Sequence, residues 1–442
     1  MISNDYLFKK TPVYKEVYLC VPAFLLITLA KWRKEMKTKR ENQLKLGLFS
    51  VLIGAFAGLV IWCFLKIMTV GMEFIWTELP EQLNIPFYTV IVCTVGGLII
   101  GLFRKKFGDY PEELGVVLGK VKNDKAYDYK NMAVMLVAAL LPLLFGSSVG
   151  PEAGLTGIIV GLCYWAGDNL KAAHIDAKEY SKMGMAVTLS VMFHSPLFGL
   201  FTVEEESESD VSSIGKGSKL YIYGLALAGG AAVYMILSDI FGNAMEGFPS
   251  FETVAPHGMD YVMVIVYILC GLVLAKVYEV THEKSAVLAG KLPAVLRETI
   301  GGLFLGIIGM LVPAMRFSGE HQMGELMTEY GKYLPIALIG AAFLKIILTN
   351  TCIQFGLRGG HFFPVIFAGV LLGYGVAMIA FPGGGHEIFA AAVVTAATLG
   401  GTMKKPLAVT MLLFICFPVR LAVWIFVGAA VAGKLMGRRK KD

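Results

Sequence analysis

Charged side chains are scarce in this sequence: they make up 16% of its 442 residues, whereas a soluble domain carries roughly 25%. Hydrophobic residues account for 56% of the chain. A chain of this composition lacks the polar surface that a soluble domain presents to water. The composition therefore predicts a protein that sits in a lipid bilayer.

The sequence also lacks the signals of disulfides, metal sites, cofactor sites and a cleaved leader. Its seven cysteines lie in apolar surroundings without CxxC spacing, so we interpret them as small buried hydrophobic residues. No small-residue cleavage site follows the first apolar stretch, residues 17–30. We expect the N-terminal segment 1–45 to carry an extra span or an interfacial helix there, followed by a basic loop.

Apolar stretches recur along the chain, but several are shorter than the about 20 residues that a transmembrane helix needs. Glycine or proline interrupts many of them. The stretches are 46–72, 87–103, 132–145, 188–203, 220–240, 261–280, 303–312, 334–349, 362–379 and 407–435. Short, interrupted segments are typical of half-helices that meet around a site inside the membrane. This pattern predicts an all-α polytopic membrane protein of tilted and broken helices.

Basic residues cluster at the ends of the apolar stretches, and the net charge is +6. The clusters lie at 31–40, 104–106 and 438–441. Because positive loops stay on the cytoplasmic side, we expect the C-terminus, with its short basic tail 436–442, to be cytoplasmic in a bacterial cell membrane. The alternative, an RNA-binding tail, is less favoured, and we expect no nucleic-acid partner.

Three pairs of landmarks recur at nearly constant spacings of 213, 210 and 211 residues: Pro151 and Pro364, Pro196 and Pro406, and Gly108 and Gly319. A constant spacing indicates an internal repeat. We predict two transmembrane halves, residues 46–243 and 244–435. In transporters such halves are typically inverted relative to each other, with the site at their interface.

Residues 359–364 read Gly-Gly-His-Phe-Phe-Pro at the start of an apolar stretch. The first turn of a helix exposes backbone N–H groups and carries partial positive charge. Glycine leaves room for an ion to approach, and proline is accepted in the first turn. The segment is predicted to hold an anion with main-chain donors, covered by Phe362 and Phe363.

Residues 150–154 read Gly-Pro-Glu-Ala-Gly and place Glu152 at a second predicted half-helix start. A carboxylate inside a membrane is costly unless it has a function or a partner. Here the helix dipole supplies the partner, so the carboxylate can occupy the anion site when no anion is bound. We predict that Glu152 gates the path and carries a proton. The alternative is an N-terminal helix cap at the membrane surface.

Taken together, residues 46–434 resemble the CLC family of chloride channels and proton/chloride exchangers. Gly150, Pro151 and Glu152 look like the start of the family's G-[K/R]-E-G-P element, whose glutamate is the external gate. Gly360, His361, Phe362, Phe363 and Pro364 match the G-x-F-x-P element in full. The resemblance implies that the N–H groups of His361 and Phe362 bind the central anion. It also implies a homodimer in which each subunit has its own pore.

Residues 193–199, Phe-His-Ser-Pro-Leu-Phe-Gly, resemble the stretch that opens the family's helix with the internal proton glutamate. That helix reaches Glu204-Glu205-Glu206, where the family has two adjacent glutamates. An ungapped alignment with the family pattern from Pro196 places the two adjacent glutamates at Glu205 and Glu206. An alignment on Leu200-Phe201 places them at Glu204 and Glu205 instead. We assign the internal proton acceptor to Glu205 or Glu206. The alternative is a solvated acidic helix end.

Two departures from the family pattern bear on the mechanism. Gly108 stands at the position of the family serine that binds the central anion, so that ligand is missing or replaced by backbone. The final tyrosine is Tyr374, which leaves no candidate for the family's inner-gate tyrosine. A wider inner gate would loosen proton coupling. The anion itself (chloride, fluoride or nitrate) is left open.

The leading interpretation is proton-coupled exchange of a chloride-type anion, with a passive anion channel second. The chain's expected partners are a small anion, protons, the lipid bilayer and a second copy of itself. A cation-coupled solute symporter is a rival, but it would offer carbonyl oxygens and acids to Na⁺, whereas the 359–364 segment offers donors. An enzyme is less favoured still, because no intramembrane His/Asp or Ser/His constellation is present.

The Glu205 and Glu206 assignment yields a test in liposomes. If one of the two passes cytoplasmic protons onward, Glu205→Gln or Glu206→Gln should lose anion-driven proton movement that the parent shows. The measurement is the proton-to-anion stoichiometry from reversal potentials under opposed anion and pH gradients. A parent that couples while both variants keep its stoichiometry would mean that protons enter by another route.

Overall fold

The computed structural model describes residues 44, 46–111, 131–170, 177–207, 216–245, 247, 249–256 and 258–438. Of residues 166–170, 177–180, 204–207, 216–219 and 438 it describes the backbone alone. The predicted helix at 17–30 lies outside these ranges. The chain divides into a unit Met1–Phe49, described only at its last residues, and a unit Ser50–Asp442.

The described part of the chain is helical and contains these helices: α1 (Leu46–Leu83, with a π-helical turn at Phe74–Glu78), α2 (Tyr88–Phe107), α3 (Met132–Leu144), α4 (Glu152–Leu170), α5 (Ala177–Met192), α6 (Pro196–Ser207), α7 (Lys216–Phe241), α8 (Gly258–Ala289), α9 (Ala294–Leu311), α10 (Glu320–Glu329), α11 (Pro335–Gln354), α12 (Phe362–Ala380), α13 (Glu387–Met403), α14 (Pro406–Leu413) and α15 (Ala422–Arg438). Seven of the helices found there are long and apolar enough to cross a membrane. The predicted all-α polytopic fold is confirmed. The last helix continues to Arg438, so the predicted basic tail begins inside it.

Helices in the two parts of the chain begin at a constant spacing of 210 residues. Helices α4 and α12 begin at Glu152 and Phe362, α5 and α13 at Ala177 and Glu387, and α6 and α14 at Pro196 and Pro406. The turns before α4 and α12 also correspond, because Gly146 and Gly356 both have positive φ, of 78° and 94°. Such a φ is easily adopted only by glycine.

The pairing of Pro151 with Pro364 needs correction, because Glu152 and Phe362 are the equivalent residues. Pro151 precedes α4, whereas Pro364 is the third residue of α12. The first N–H groups of a helix have no intrahelical partner, so proline is accepted at several positions around a helix start. A proline therefore indicates that a helix starts nearby, but it does not show which residues of the two halves are equivalent.

Equivalent residues of the two parts meet in an antiparallel bridge between Gly150 and Gly360. An antiparallel pairing means that the chain runs in opposite directions through the two equivalent segments. The predicted inverted repeat is confirmed by this arrangement and by the matching helix starts. Helices α1–α7 fall within the first proposed half and α8–α15 in or just beyond the second.

Two predicted apolar stretches do not match single helices, and one helix matches no predicted stretch. The stretch 188–203 covers the end of α5 and the start of α6, and 407–435 covers both α14 and α15. Helix α13 lies outside every predicted stretch, because it is rich in alanine, threonine and glycine. It is buried over most of its length, so it faces protein rather than lipid and needs small residues for close packing.

Glycine allows a close contact between helices α2 and α9. A Cβ atom on Gly302 would overlap the backbone carbonyl of Cys93, and one on Gly97 would overlap that of Glu298. Each helix thus presents a glycine to the backbone of the other. Backbone atoms cannot move aside as the end of a flexible side chain can. The two helices can therefore cross this closely only because these glycines have no Cβ atoms.

We expect Gly302→Ala to lower the free energy of unfolding by about 1–3 kcal/mol, the usual cost of overpacking. Gly340→Ala is the matched control: Gly340 is also helical, but nothing lies within 4 Å of its Cβ position. Alanine should be neutral or slightly stabilising there. Thermal unfolding in detergent checks both, and equal melting temperatures would contradict the packing argument.

Candidate functional site

The site lies where the starts of α4 and α12 face each other. The N–H of Gly150 donates to the carbonyl of Gly360 at 2.8 Å, and the N–H of Gly360 donates to the carbonyl of Gly150 at 2.7 Å. Two helix N-termini, each with partial positive charge, are thereby brought together. The bridge satisfies one N–H in each segment and leaves the donors of the first turns for another acceptor.

Glu152 provides that acceptor. Its side chain is 1% exposed, and its Oε1 atom accepts the N–H of Phe362 at 2.8 Å. The carboxylate of the first residue of α4 thus crosses to the first residue of α12. Hydrogen bonds to an ionised acceptor are stronger than neutral ones. A small anion binding to the same N–H would have to displace the carboxylate.

Four buried phenylalanines surround this point and bring in the start of α6. The ring of Phe193 stacks on Phe363 with centroids 4.6 Å apart, and Phe198 meets Phe362 edge-on at 5.9 Å. Phe193 and Phe198 also contact each other. Phe362 and Phe363, which are predicted to cover the anion, are therefore two of the four rings of a larger aromatic cluster. Such a cluster excludes water and strengthens electrostatic interactions inside.

His361 lies directly before α12, and its role as a backbone anion ligand stays a prediction. Its ring lies against Tyr278 at 5.5 Å and against Phe362 at 4.8 Å. The His361 ring therefore packs against two other aromatic rings. Pro151 and His361 occupy equivalent places, directly before α4 and α12.

Gly108 is not brought to the Glu152 carboxylate by any contact among the described residues. It is exposed at the end of α2 with a φ of 106°, and a Cβ atom there would approach the ring of Tyr110. Its role as a backbone anion ligand stays a prediction. The helix that carries Glu205 and Glu206 is present as α6, but their side chains lie outside the described part of the structure, so their roles stay predictions too.

Sequence reasoning missed a charged network beside the site. Asp109 pairs with Arg104 and also with Arg358 at 3.1 Å, two residues before Gly360. Arg104 also pairs with the buried Glu298 at 2.7 Å. The signal was present in the sequence: an arginine directly before the Gly-Gly pair of an apolar segment. The network joins the loop after α2 to the strand-like segment that enters the site.

Comparison with known proteins decides the family. The pattern of the voltage-gated chloride channel family matches residues 96–437, more than half of the chain. The chain belongs to this family. As a member of the voltage-gated chloride channel family it is an integral, multi-pass membrane protein that transports anions, and not an enzyme. The predicted resemblance is confirmed.

Relatives include the candidate ion-transport protein YfeO of Salmonella paratyphi A, which is 25% identical over 356 residues, covering 76% of this chain and 81% of the relative. YfeO of Escherichia coli strain SMS-3-5 is 24% identical over 355 residues, covering 76% and 79%. Among solved structures, a slow cyanobacterial Cl⁻/H⁺ antiporter is similar in fold, with a TM-score of 0.73 at 18% identity over 89% of this chain and 95% of that one. A CLC-type fluoride/proton antiporter has a TM-score of 0.66 at 20% identity over 88% and 95%.

Gly360 offers a clean test of the site. The atoms nearest to a Cβ placed on Gly360 all belong to the Glu152 side chain, which can swing away. We therefore expect Gly360→Ala to fold but to weaken halide binding roughly tenfold, about the loss of one hydrogen bond to a charged group. Calorimetric titration with halide measures this, and Gly340→Ala again serves as control. Parental affinity in Gly360→Ala would show that anions bind elsewhere.

Proposed function

We propose that this chain exchanges small inorganic anions for protons across the membrane, with Glu152 as the gate and the proton carrier. The observation that carries the proposal is the hydrogen bond from the Phe362 N–H to the Glu152 carboxylate. A carboxylate and a halide are both acceptors and compete for that donor. The site therefore holds either the glutamate or the anion.

Protonation of Glu152 decides whether the carboxyl group or the anion occupies the site. A neutral carboxyl group is a weaker acceptor than a carboxylate and is less attracted by the two helix N-termini. A protonated Glu152 therefore leaves the site readily, and the anion takes its place. When the anion departs and the proton is released, the charged carboxylate returns. One cycle of this kind moves anions and protons in opposite directions.

The proposal extends to orientation and assembly. We propose a homodimer, as the family resemblance implies, in a bacterial cell membrane. The basic clusters that flank the apolar segments support a C-terminus in the cytoplasm. Glu205 or Glu206 is the proposed cytoplasmic proton acceptor.

Passive conduction is the second candidate, and the presence of Gly108 at the position of the family serine favours it. The two functions differ in one measurement. An exchanger reverses at a potential that depends on both the anion gradient and the pH gradient. A channel reverses at the anion Nernst potential whatever the pH gradient.

We expect Glu152→Gln to abolish proton movement driven by an anion gradient while leaving anion flux, because the amide cannot release or accept the proton. Glu387→Gln is the matched control: Glu387 is also a buried glutamate at a helix start, but it accepts the N–H of its near neighbour Gly385 at 2.8 Å. Proton and anion fluxes in liposomes are recorded together. Persistent proton pumping in Glu152→Gln would rule out its role as carrier.

A further inference from the structure

An ion pair between Asp109 and Arg358 lies where the chain enters the site. The Oδ2 atom of Asp109 is 3.1 Å from the Nη2 atom of Arg358. Arg358 stands two residues before Gly360, so the Cα atoms of these two residues are at most about 7 Å apart. The side chain of Glu152 lies against the Cβ position of Gly360. The Arg358 guanidinium therefore belongs to the chain segment on which the Glu152 carboxylate rests.

Exposure distinguishes this ion pair from the buried site. The side chain of Asp109 is 65% exposed and that of Arg358 is 23% exposed, whereas Glu152 is 1% exposed. A guanidinium keeps its charge at every physiological pH and presents several N–H donors. Arg358 thus combines a permanent positive charge, partial exposure and a position next to the segment that contacts Glu152.

Arg104 is the second partner of Asp109, and its surroundings differ from those of Arg358. Its side chain is only 4% exposed. Arg104 also pairs with Glu298 at 2.7 Å and donates to the carbonyl of Gly356 at 3.3 Å. Arg104 therefore keeps two acceptors when Asp109 is removed. It holds the network together, whereas the Arg358 guanidinium is the more accessible of the two.

Further basic residues lie around this ion pair, at one membrane surface. Lys105 and Lys106 are exposed in the last turn of α2. The start of α9, a helix that can cross the membrane, lies beside this turn, because a Cβ atom on Gly101 would meet the Cα atom of Val295 at 2.9 Å. This start brings in Arg297, whose side chain is 21% exposed. Positive charges gathered in one place raise the local concentration of anions.

We propose that Arg358 is a capture site for small inorganic anions on their way to Glu152, and that the Asp109 carboxylate occupies it when no anion is bound. The carboxylate and the anion compete for one guanidinium. Exchange between them is easy, because an ion pair that water reaches is weak. The capture site rests on the proposed passage of anions past Glu152, and it serves exchange and conduction alike.

The test is the chloride dependence of chloride flux in liposomes. Exchange of isotope-labelled chloride is measured at equal chloride concentrations on both sides, so that the orientation of the protein does not matter. We expect Arg358→Gln to raise the half-saturating chloride concentration about threefold to tenfold, as loss of a partly exposed hydrogen bond to an anion does. Asp109→Asn should lower it about threefold, because the competitor is gone.

Glu329→Gln is the matched control for Asp109→Asn. The Glu329 carboxylate also belongs to an exposed ion pair, with Lys332 at 2.5 Å, and its loss should leave the half-saturating concentration at the parental value. An ion pair that only fastens the fold would behave differently. Arg358→Gln and Asp109→Asn would then lower the melting temperature in detergent and keep the parental half-saturating concentration. That result would overturn the capture site.

The double variant Asp109→Asn/Arg358→Gln separates competition at Arg358 from a general effect of charge. If Asp109 acts by occupying the guanidinium, its removal has no effect once Arg358 is gone, and the double variant matches Arg358→Gln. If the two single effects add, Asp109 repels anions independently of Arg358, and the capture site is overturned. Proton movement that survives in Glu152→Gln would refute the exchange function instead. It would leave this result unaffected, because the capture site is measured from chloride flux.

Discussion

Negative charge inside a bilayer has to be stabilised, and in this protein the backbone does it. Without water, the donors available are the N–H groups at helix starts, where the dipole adds partial positive charge. The antiparallel bridge between Gly150 and Gly360 brings two such starts together. The Phe362 N–H and the Glu152 carboxylate then meet at 2.8 Å. Broken helices, glycine-rich turns and the inverted repeat all serve to place these donors in the middle of the fold.

The same repeat explains how the two halves are fastened to each other. Gly146 and Gly356 end equivalent helices, and each carbonyl receives a donor from the opposite half: the Phe317 N–H in one case and the Arg104 guanidinium in the other. Charged residues gather near both places. Arg104 belongs to a network with Glu298 and Asp109, and Phe317 to the loop held by Lys345. Buried charged residues thus lie near each of the two chain segments that lead into the site.

The two networks differ in a way that the repeat does not dictate. Near Gly356, guanidinium groups pair directly with carboxylates, as Arg104 does with Glu298 at 2.7 Å. Near Gly146, the Lys345 ammonium donates to backbone carbonyls instead. Each network also keeps one carboxylate oxygen without a hydrogen bond among the described residues, Oε2 of Glu298 and Oε1 of Glu320.

Much of the fold could be predicted from the sequence, because hydropathy and Gly/Pro breaks are local properties. Scarce charge, short apolar stretches and the residues around Glu152 and 359–364 were enough to predict an all-α membrane fold, an inverted repeat and the family. The residue-by-residue equivalence of the two halves could not be predicted in this way, because proline is tolerated at several positions near a helix start. The spacing of 210 residues became clear only from the helix starts in the structure. Helix α13 was missed because burial against protein requires small residues rather than strongly apolar ones.

Contacts between distant segments, such as Glu152 with Phe362, Asp109 with Arg358 and Lys345 with the loop before Glu320, depend on packing across more than two hundred residues or between helices. Only the tertiary structure decides such contacts, because no pattern in the sequence specifies which distant groups become neighbours.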